Sequence, residues 1–238
     1  MNAIEIVITL PFFPQSETRG DSWTRIIILG PPGSGKGTRA KIMGKLYDLP
    51  VVTTGDMLRE AVSEGTELGK LAEGYMNRGE LVRDDIVISI VEDRMSKPDV
   101  VKGFILDGFP RSVEQAEALD RILNRLGTAL DVVLYITAEQ ETIIERLSLR
   151  RSCPKCGAIY HLKDMLPERE GICDECGGVL VQREDDKAKI IRHRLEVYEK
   201  QTFPILERYE RVGKVRQMSG EIDIKEIPDE IRRVLGPP

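Results

Sequence analysis

The residues that most restrict what this chain can become are Gly30-Pro-Pro-Gly-Ser-Gly-Lys-Gly-Thr38, together with the apolar run Ile26-Ile27-Ile28-Leu29 directly before them. Four consecutive large apolar residues between Arg25 and a glycine read as a strand buried on both faces. Behind them, Gly30, Gly33, Gly35 and Gly37 remove side chains where a tight turn would gather backbone N–H groups at one point. A helix-compatible stretch begins near Lys36, so the turn ends at a helix N-terminus with its partial positive charge. Strand, glycine-rich turn with a lysine, then helix is the order that cradles phosphate. A bare structural turn gives no reason for four glycines and a lysine together. Gly33, Ser34, Gly35, Lys36, Gly37 and Thr38 are therefore candidate ATP-binding residues, with Lys36 as a point charge on the transferred phosphoryl group. The strict motif has Ser or Thr directly after the lysine, whereas Gly37 intervenes here, which leaves direct magnesium ligation by Thr38 open.

Two further apolar runs, 104–106 and 132–136, each follow helix-compatible sequence. Alternating β and α segments predict an α/β fold, a parallel sheet flanked by helices. A helix is expected over 187–198, with Ile190, Ile191, Leu195 and Tyr198 on one face and a break at Pro204. Two stretches interrupt the alternation. Residues 53–82 are rich in glycine and charge yet read as short helices, and residues 149–186 hold all the cysteines; both read as inserted lobes. The expected division is an extension over 1–24, core over 25–52, a first lobe over 53–82, core over 83–148, a second lobe over 149–186 and core over 187–238. The extension shows no sustained period, and an upstream start or a flexible tail is its simplest account.

Cys153-Pro-Lys-Cys156-Gly157 and Cys173-Asp-Glu-Cys176-Gly177 are two C-x-x-C-G turns in an otherwise cysteine-free chain. That spacing fits a tetrahedral four-thiolate zinc site, structural because no position is left for water. Two disulfides, or a zinc ribbon gripping nucleic acid, are the rival readings. The first lacks a secretory signal, and the second is disfavoured by Asp164, Glu168 and Glu170 between the pairs.

With 40 acidic against 35 basic residues and a formal charge of −5, the chain has no broad basic field for a nucleic-acid backbone. No run approaches the ~20 apolar residues of a membrane span. Residues 4–13 are apolar, but Glu5 and Pro11 interrupt them and no basic n-region or cleavage site accompanies them. A cytoplasmic monomer, binding neither nucleic acid nor membrane, is the expectation.

The chain resembles the adenylate kinases. The GKGT ending is joined by Thr54-Gly-Asp-Met-Leu-Arg59, Gly79-Glu-Leu-Val82, Leu106-Asp-Gly-Phe-Pro-Arg111 with Gln115, and Arg183-Glu-Asp-Asp186 followed by Arg192 and Arg194. The likeness implies a P-loop NTPase-like core with a monophosphate-binding lobe and a zinc-stapled lid. It also implies reversible, magnesium-dependent phosphoryl transfer from ATP to AMP, giving ADP. Thr54, Arg59, Gly108 and Arg111 would hold AMP, with Gln115 and backbone at Leu81 and Val82 reading its base. Asp107 would hold magnesium through water. Arg150, Arg183 and Arg194 would close over the phosphoryl group, and Arg146 would lie against the base of ATP. Phosphoryl transfer needs placed cations more than a nucleophilic side chain, and arginine's planar fork suits phosphate. Leu149, where relatives often have glycine, departs from the pattern, as does Met218-Ser-Gly220-Glu-Ile, which lacks a Lys-Pro pair near the donor base. A kinase for another nucleoside monophosphate, or a nucleotide-dependent zinc-ribbon protein without transferase activity, remain the alternatives at this stage.

Overall fold

The computed structural model describes residues 24–237, so the expected extension lies outside it apart from Thr24. Thr24 already belongs to the core: its backbone N–H donates to Asp131 Oδ2 at 3.0 Å, and its carbonyl accepts from Phe104 N–H at 2.7 Å.

Strands β1 (Arg25–Leu29), β2 (Val51–Thr53), β3 (Phe104–Asp107), β4 (Val132–Thr137) and β7 (Val215–Ser219) form one sheet in the order β2-β3-β1-β4-β7. Every pairing in it is parallel. The expected runs became the three central strands, where Ile26, Ile27 and Ile28 have no solvent exposure. Full burial of each such side chain contributes roughly 1.5–3 kcal/mol, which favours a central place over an edge. Alternate residues feed two cores. Ile27, Leu29, Leu106 and Val133 pack with α4 (Asp84–Met95), α5 (Val113–Arg125) and α8 (Phe203–Glu210). Ile26, Ile28, Ile105 and Leu134 pack with α1 (Lys36–Tyr47) and α9 (Ile227–Leu235).

The outer strands β2 and β7 were not anticipated, and one expectation is corrected. α7 (Ala188–Val197) does not break at Pro204 but passes through a π-helical turn, Tyr198–Thr202, into α8. Phe203 N–H reaches back to the Tyr198 carbonyl, and Pro204 sits in the first turn of α8, where its missing N–H has no partner to lose. Ile191 and Leu195 of α7 pack with Ile143 and Leu147 of α6 (Gln140–Leu149).

Between β2 and α4, α2 (Thr54–Ser63) and α3 (Glu67–Arg78) form a helical pair. Between α6 and α7 lies a small antiparallel ladder, β5 (Arg150–Ser152) with β6 (Ile159–His161), and the cysteine turns. The register of the main sheet ends Thr53 beside Asp107 and Thr137 beside Ser219, so every following loop starts at one edge. Chain order reverses direction at β1, and the crevice beyond its C-terminal end is where an open parallel sheet offers room for a ligand.

Candidate active site

The glycine-rich turn occupies that crevice. Gly33 and Gly35 have φ of +82° and +90°, and a Cβ on Gly33 would come within 2.9 Å of Leu147, so both positions demand glycine. Lys36 opens α1, and its ammonium donates to the Gly30 and Pro31 carbonyls, each at 2.7 Å. Burial pushes its pKa down to about 7, Asp107 opposes that shift, and Arg111, Arg194 and Arg150 reinforce it. Ser34 is fully buried, Thr38 is exposed, and a Cβ on Gly37 would lie 3.4 Å from Asp107 Oδ2. Asp107 ends β3 at 7% exposure; burial raises its pKa against the pull of Lys36 and Arg111.

The loop after β3 forms a second cradle. Thr54 Oγ1 donates to the Gly108 carbonyl at 2.7 Å, and Arg111 Nε donates to the same oxygen at 2.9 Å. Gly108 has φ +84°, and any side chain there would meet both partners at 2.9 Å. Burial pushes Arg111 down to about 10, with Arg194 adding to it, and it remains a cation at neutral pH. Gln115 is 1% exposed: its Oε1 accepts from Arg111 N–H at 2.7 Å, and its Nε2 donates to Asp84 at 2.6 Å. Asp84 also accepts from Ser112 Oγ at 2.6 Å, so it orients the amide expected at the acceptor base. Arg59 pairs with Asp56 one helical turn earlier, half-buried Leu81 precedes α4, and Val82 is buried.

Arg150, Arg183 and Arg194 converge from the other side. Arg150 grips both oxygens of Asp186 at 2.8 and 2.6 Å, and Arg194 Nη1 lies 3.3 Å from Asp186 and 2.9 Å from Asp185. Asp185 is held below its usual range: burial would raise it, but Arg194, Arg150, Arg183 and Arg59 outweigh that. Arg183 donates to Ser152 Oγ at 3.2 Å; burial, with Arg59 and Arg150 beside it, brings it down to about 9. Lys36, Arg59, Arg111, Arg150, Arg183 and Arg194 thus sense one another across a single crevice. Arg192 does not join them; it is exposed on α7.

Arg146 stands apart, donating to the Gly220 carbonyl at 2.9 Å beyond β7. Sequence reasoning missed its neighbour Arg39, which is 2% exposed and donates to the Ser219 carbonyl at 2.8 Å. No sequence signal separates Arg39 from a solvated helix arginine.

The four cysteine sulfurs lie within 4.8 Å of one another, and the closest pairs, Cys153–Cys176 and Cys156–Cys173, are 3.4 and 3.5 Å apart. A disulfide would need ~2.05 Å. Four sulfurs at ~2.3 Å from one zinc stand about 3.8 Å apart, close to what is seen. Backbone N–H groups of Lys155 and Cys156 point at Cys153 sulfur, and those of Glu175 and Cys176 at Cys173 sulfur. The donor set therefore fits a thiolate-bound metal. Around it only a few residues, among them Ala158, Tyr160 and Leu180, make a core.

The sequence model of the family described as adenylate kinase matches residues 28–214. An adenylate kinase of Archaeoglobus fulgidus is 48% identical over 210 residues, covering 88% of this chain and 97% of that protein. One of Kosmotoga olearia is 50% identical over 210 residues, covering 88% and 98%. One of Caldicellulosiruptor bescii is 50% identical over 212 residues, covering 89% and 99%. The parallel sheet, the glycine-rich cradle at its crevice and these matches place the chain in the adenylate kinase family, among the nucleoside monophosphate kinases.

Proposed function

We propose that the chain catalyses reversible transfer of the terminal phosphoryl group of ATP to AMP, yielding two ADP, as a cytoplasmic monomer. The observation that supports this most directly is the cation crevice: Lys36 and Arg111 flank Asp107, and Arg150 and Arg194 face them from the opposite side. In this reading Lys36 and backbone N–H groups of 33–38 hold the donor phosphates, and Thr54, Arg59, Gly108 and Arg111 hold the acceptor phosphate. Gln115, fixed by Asp84, meets the acceptor base beside Leu81 and Val82. Arg150, Arg183 and Arg194 stabilise the charge spread over the equatorial oxygens, for which each well-placed arginine can be worth roughly 10³-fold in rate.

Magnesium, bound with ATP and held through water near Asp107, would neutralise charge between the bridging phosphates. Zinc, held by Cys153, Cys156, Cys173 and Cys176, would staple residues 149–186 into a lid. Residues 53–82 form the monophosphate lobe, and both lobes close to exclude water that would otherwise take the phosphoryl group.

An acceptor panel tests the assignment: purified protein with magnesium-ATP and AMP, GMP, UMP or CMP in a coupled assay. AMP is expected to be the preferred acceptor. Equal or better phosphorylation of another monophosphate would overturn it.

A further inference from the structure

We propose that Arg39 is a positioning residue for the base of the phosphoryl donor, pinning one carbonyl of residues 219–221 while Arg146 pins the next, so that this segment forms the floor under that base. The inference rests on the reading of ATP as donor and extends it to a residue outside the phosphate and acceptor contacts.

Arg39 is the largest of the fully buried side chains, and among the described residues no carboxylate stands within ion-pair distance of it. A guanidinium removed from water without a counter-ion is costly, and an apolar residue would fill the same space more favourably. Hydrogen bonds take the place of an ion pair. Nη2 donates to the Ser219 carbonyl at 2.8 Å, Nη1 reaches the Gly35 carbonyl at 3.4 Å, and Nε is buried with no partner. Burial, with Arg146 nearby, pushes the group down to about 10, so it stays cationic at neutral pH.

The segment it grips lies at the margin of the sheet, where β4 holds it from one side through Thr137 and Glu221 accepts from Glu139 N–H at 3.1 Å. β7 is an edge strand in which only Met218 is buried, and the chain turns away directly after Ser219. Yet Gly220 sits at a narrow point: its N–H donates to the Thr137 carbonyl at 2.6 Å, and an added Cβ would meet the Ser34 and Thr137 carbonyls at 2.4 and 2.6 Å. Arg39 on α1 and Arg146 on α6 therefore hold consecutive carbonyls from two helices, at a spot wedged against the phosphate loop.

Steady-state kinetics of Arg39→Met and Arg39→Gln test the idea, with inorganic tripolyphosphate as a base-free competitor of ATP. Arg39→Met is expected to raise KM for ATP roughly tenfold, matching loss of one charge-assisted hydrogen bond. The KM for AMP and the inhibition constant of tripolyphosphate should stay within about twofold. Arg39→Gln keeps an amide N–H for Ser219 and should recover most of the loss; if the methionine variant does not fold, Arg39→Leu takes its place with the same expected rise in KM for ATP. Equal weakening of ATP and tripolyphosphate would place Arg39 under the phosphates and overturn the inference. So would an unchanged KM for ATP with only a lowered melting temperature. If the wild-type protein failed to phosphorylate AMP, the proposed function would fall. Calorimetric binding of ATP against tripolyphosphate would still decide what Arg39 does.

Discussion

Replacing Asp186 by asparagine removes one charge and almost no volume from the most heavily shared anion of the crevice. The Asp186 side chain has no solvent exposure, while its partners Arg150 and Arg194 are only 17% and 18% exposed. Asparagine keeps one acceptor oxygen but turns an NH2 group toward a guanidinium that can only donate. Two strong contacts from Arg150, at 2.8 and 2.6 Å, are thereby reduced to one neutral one. A hydrogen bond to a charged group contributes ~1.5–3 kcal/mol, and breaking a buried pair from one side costs ~3–5 kcal/mol. Asp185, 2.9 Å from Arg194, retains part of the compensation, which argues for the lower end, about 3 kcal/mol. For a chain of this size that is a fall in melting temperature of roughly 6–12 °C. Urea unfolding of Asp186→Asn without nucleotide measures it, provided the denaturant slope matches wild type. A loss under about 1 kcal/mol at unchanged slope would refute the argument that this carboxylate holds the arginines together.

Lys36→Met should abolish turnover while leaving the melting temperature near wild type; activity near normal would remove Lys36 from the mechanism. Because burial brings Lys36 down to about 7, ATP binding at pH 8 should take up a proton as phosphate restores the ammonium. Titration calorimetry in buffers of differing ionisation enthalpy should show that uptake, with affinity falling up to about tenfold per pH unit above 7, and buffer-independent heats would contradict it. The sign for folding is the opposite of a salt-bridged lysine: between about 7 and the ordinary 10.5 the unfolded chain binds the proton more tightly, so Lys36 makes the nucleotide-free fold gain stability as pH rises. Cys153→Ser with Cys156→Ser should abolish metal binding by elemental analysis and lower thermal stability far more than ATP affinity. Unchanged melting with no bound metal in either protein would refute a structural zinc.

The centre of the sheet was legible because full burial on both faces leaves unbroken apolar runs, as in Ile26–Leu29. Its margins were not. Val51–Thr53 is too short for a period, and Val-Arg-Gln-Met-Ser at 215–219 carries the polar residues an edge tolerates. Pro204 misled because a proline breaks a helix interior but suits a helix start, and only the π turn before it reveals which applies. Within the site, the glycine turn and cysteine pairs are local patterns tied to one geometry, so spacing sufficed. The arginines are not: Arg59, Arg111, Arg150, Arg183 and Arg194 come from five separate elements and loops, and only the resemblance linked them. Arg192 shows the limit, since a motif position did not bring it inward. Arg39 shows the converse, because its burial depends on a strand 180 residues further along the chain.

The crowding of like charge in the crevice bears on how the protein fares in a starved cell. Burial, more than any neighbour, disfavours the charge on Arg111, Arg183 and Arg194; around Arg111 and Arg183 a neighbouring arginine adds to this more than any carboxylate offsets, while around Arg194 Asp185 works against it. Bound nucleotide would relieve the strain, and a ligand at a hundred times its dissociation constant adds about 2.7 kcal/mol to the folded state. The molecule is thus sturdiest when its substrates are plentiful and most open to unfolding and proteolysis when adenylate pools collapse, which ties its lifetime to the pool it would balance.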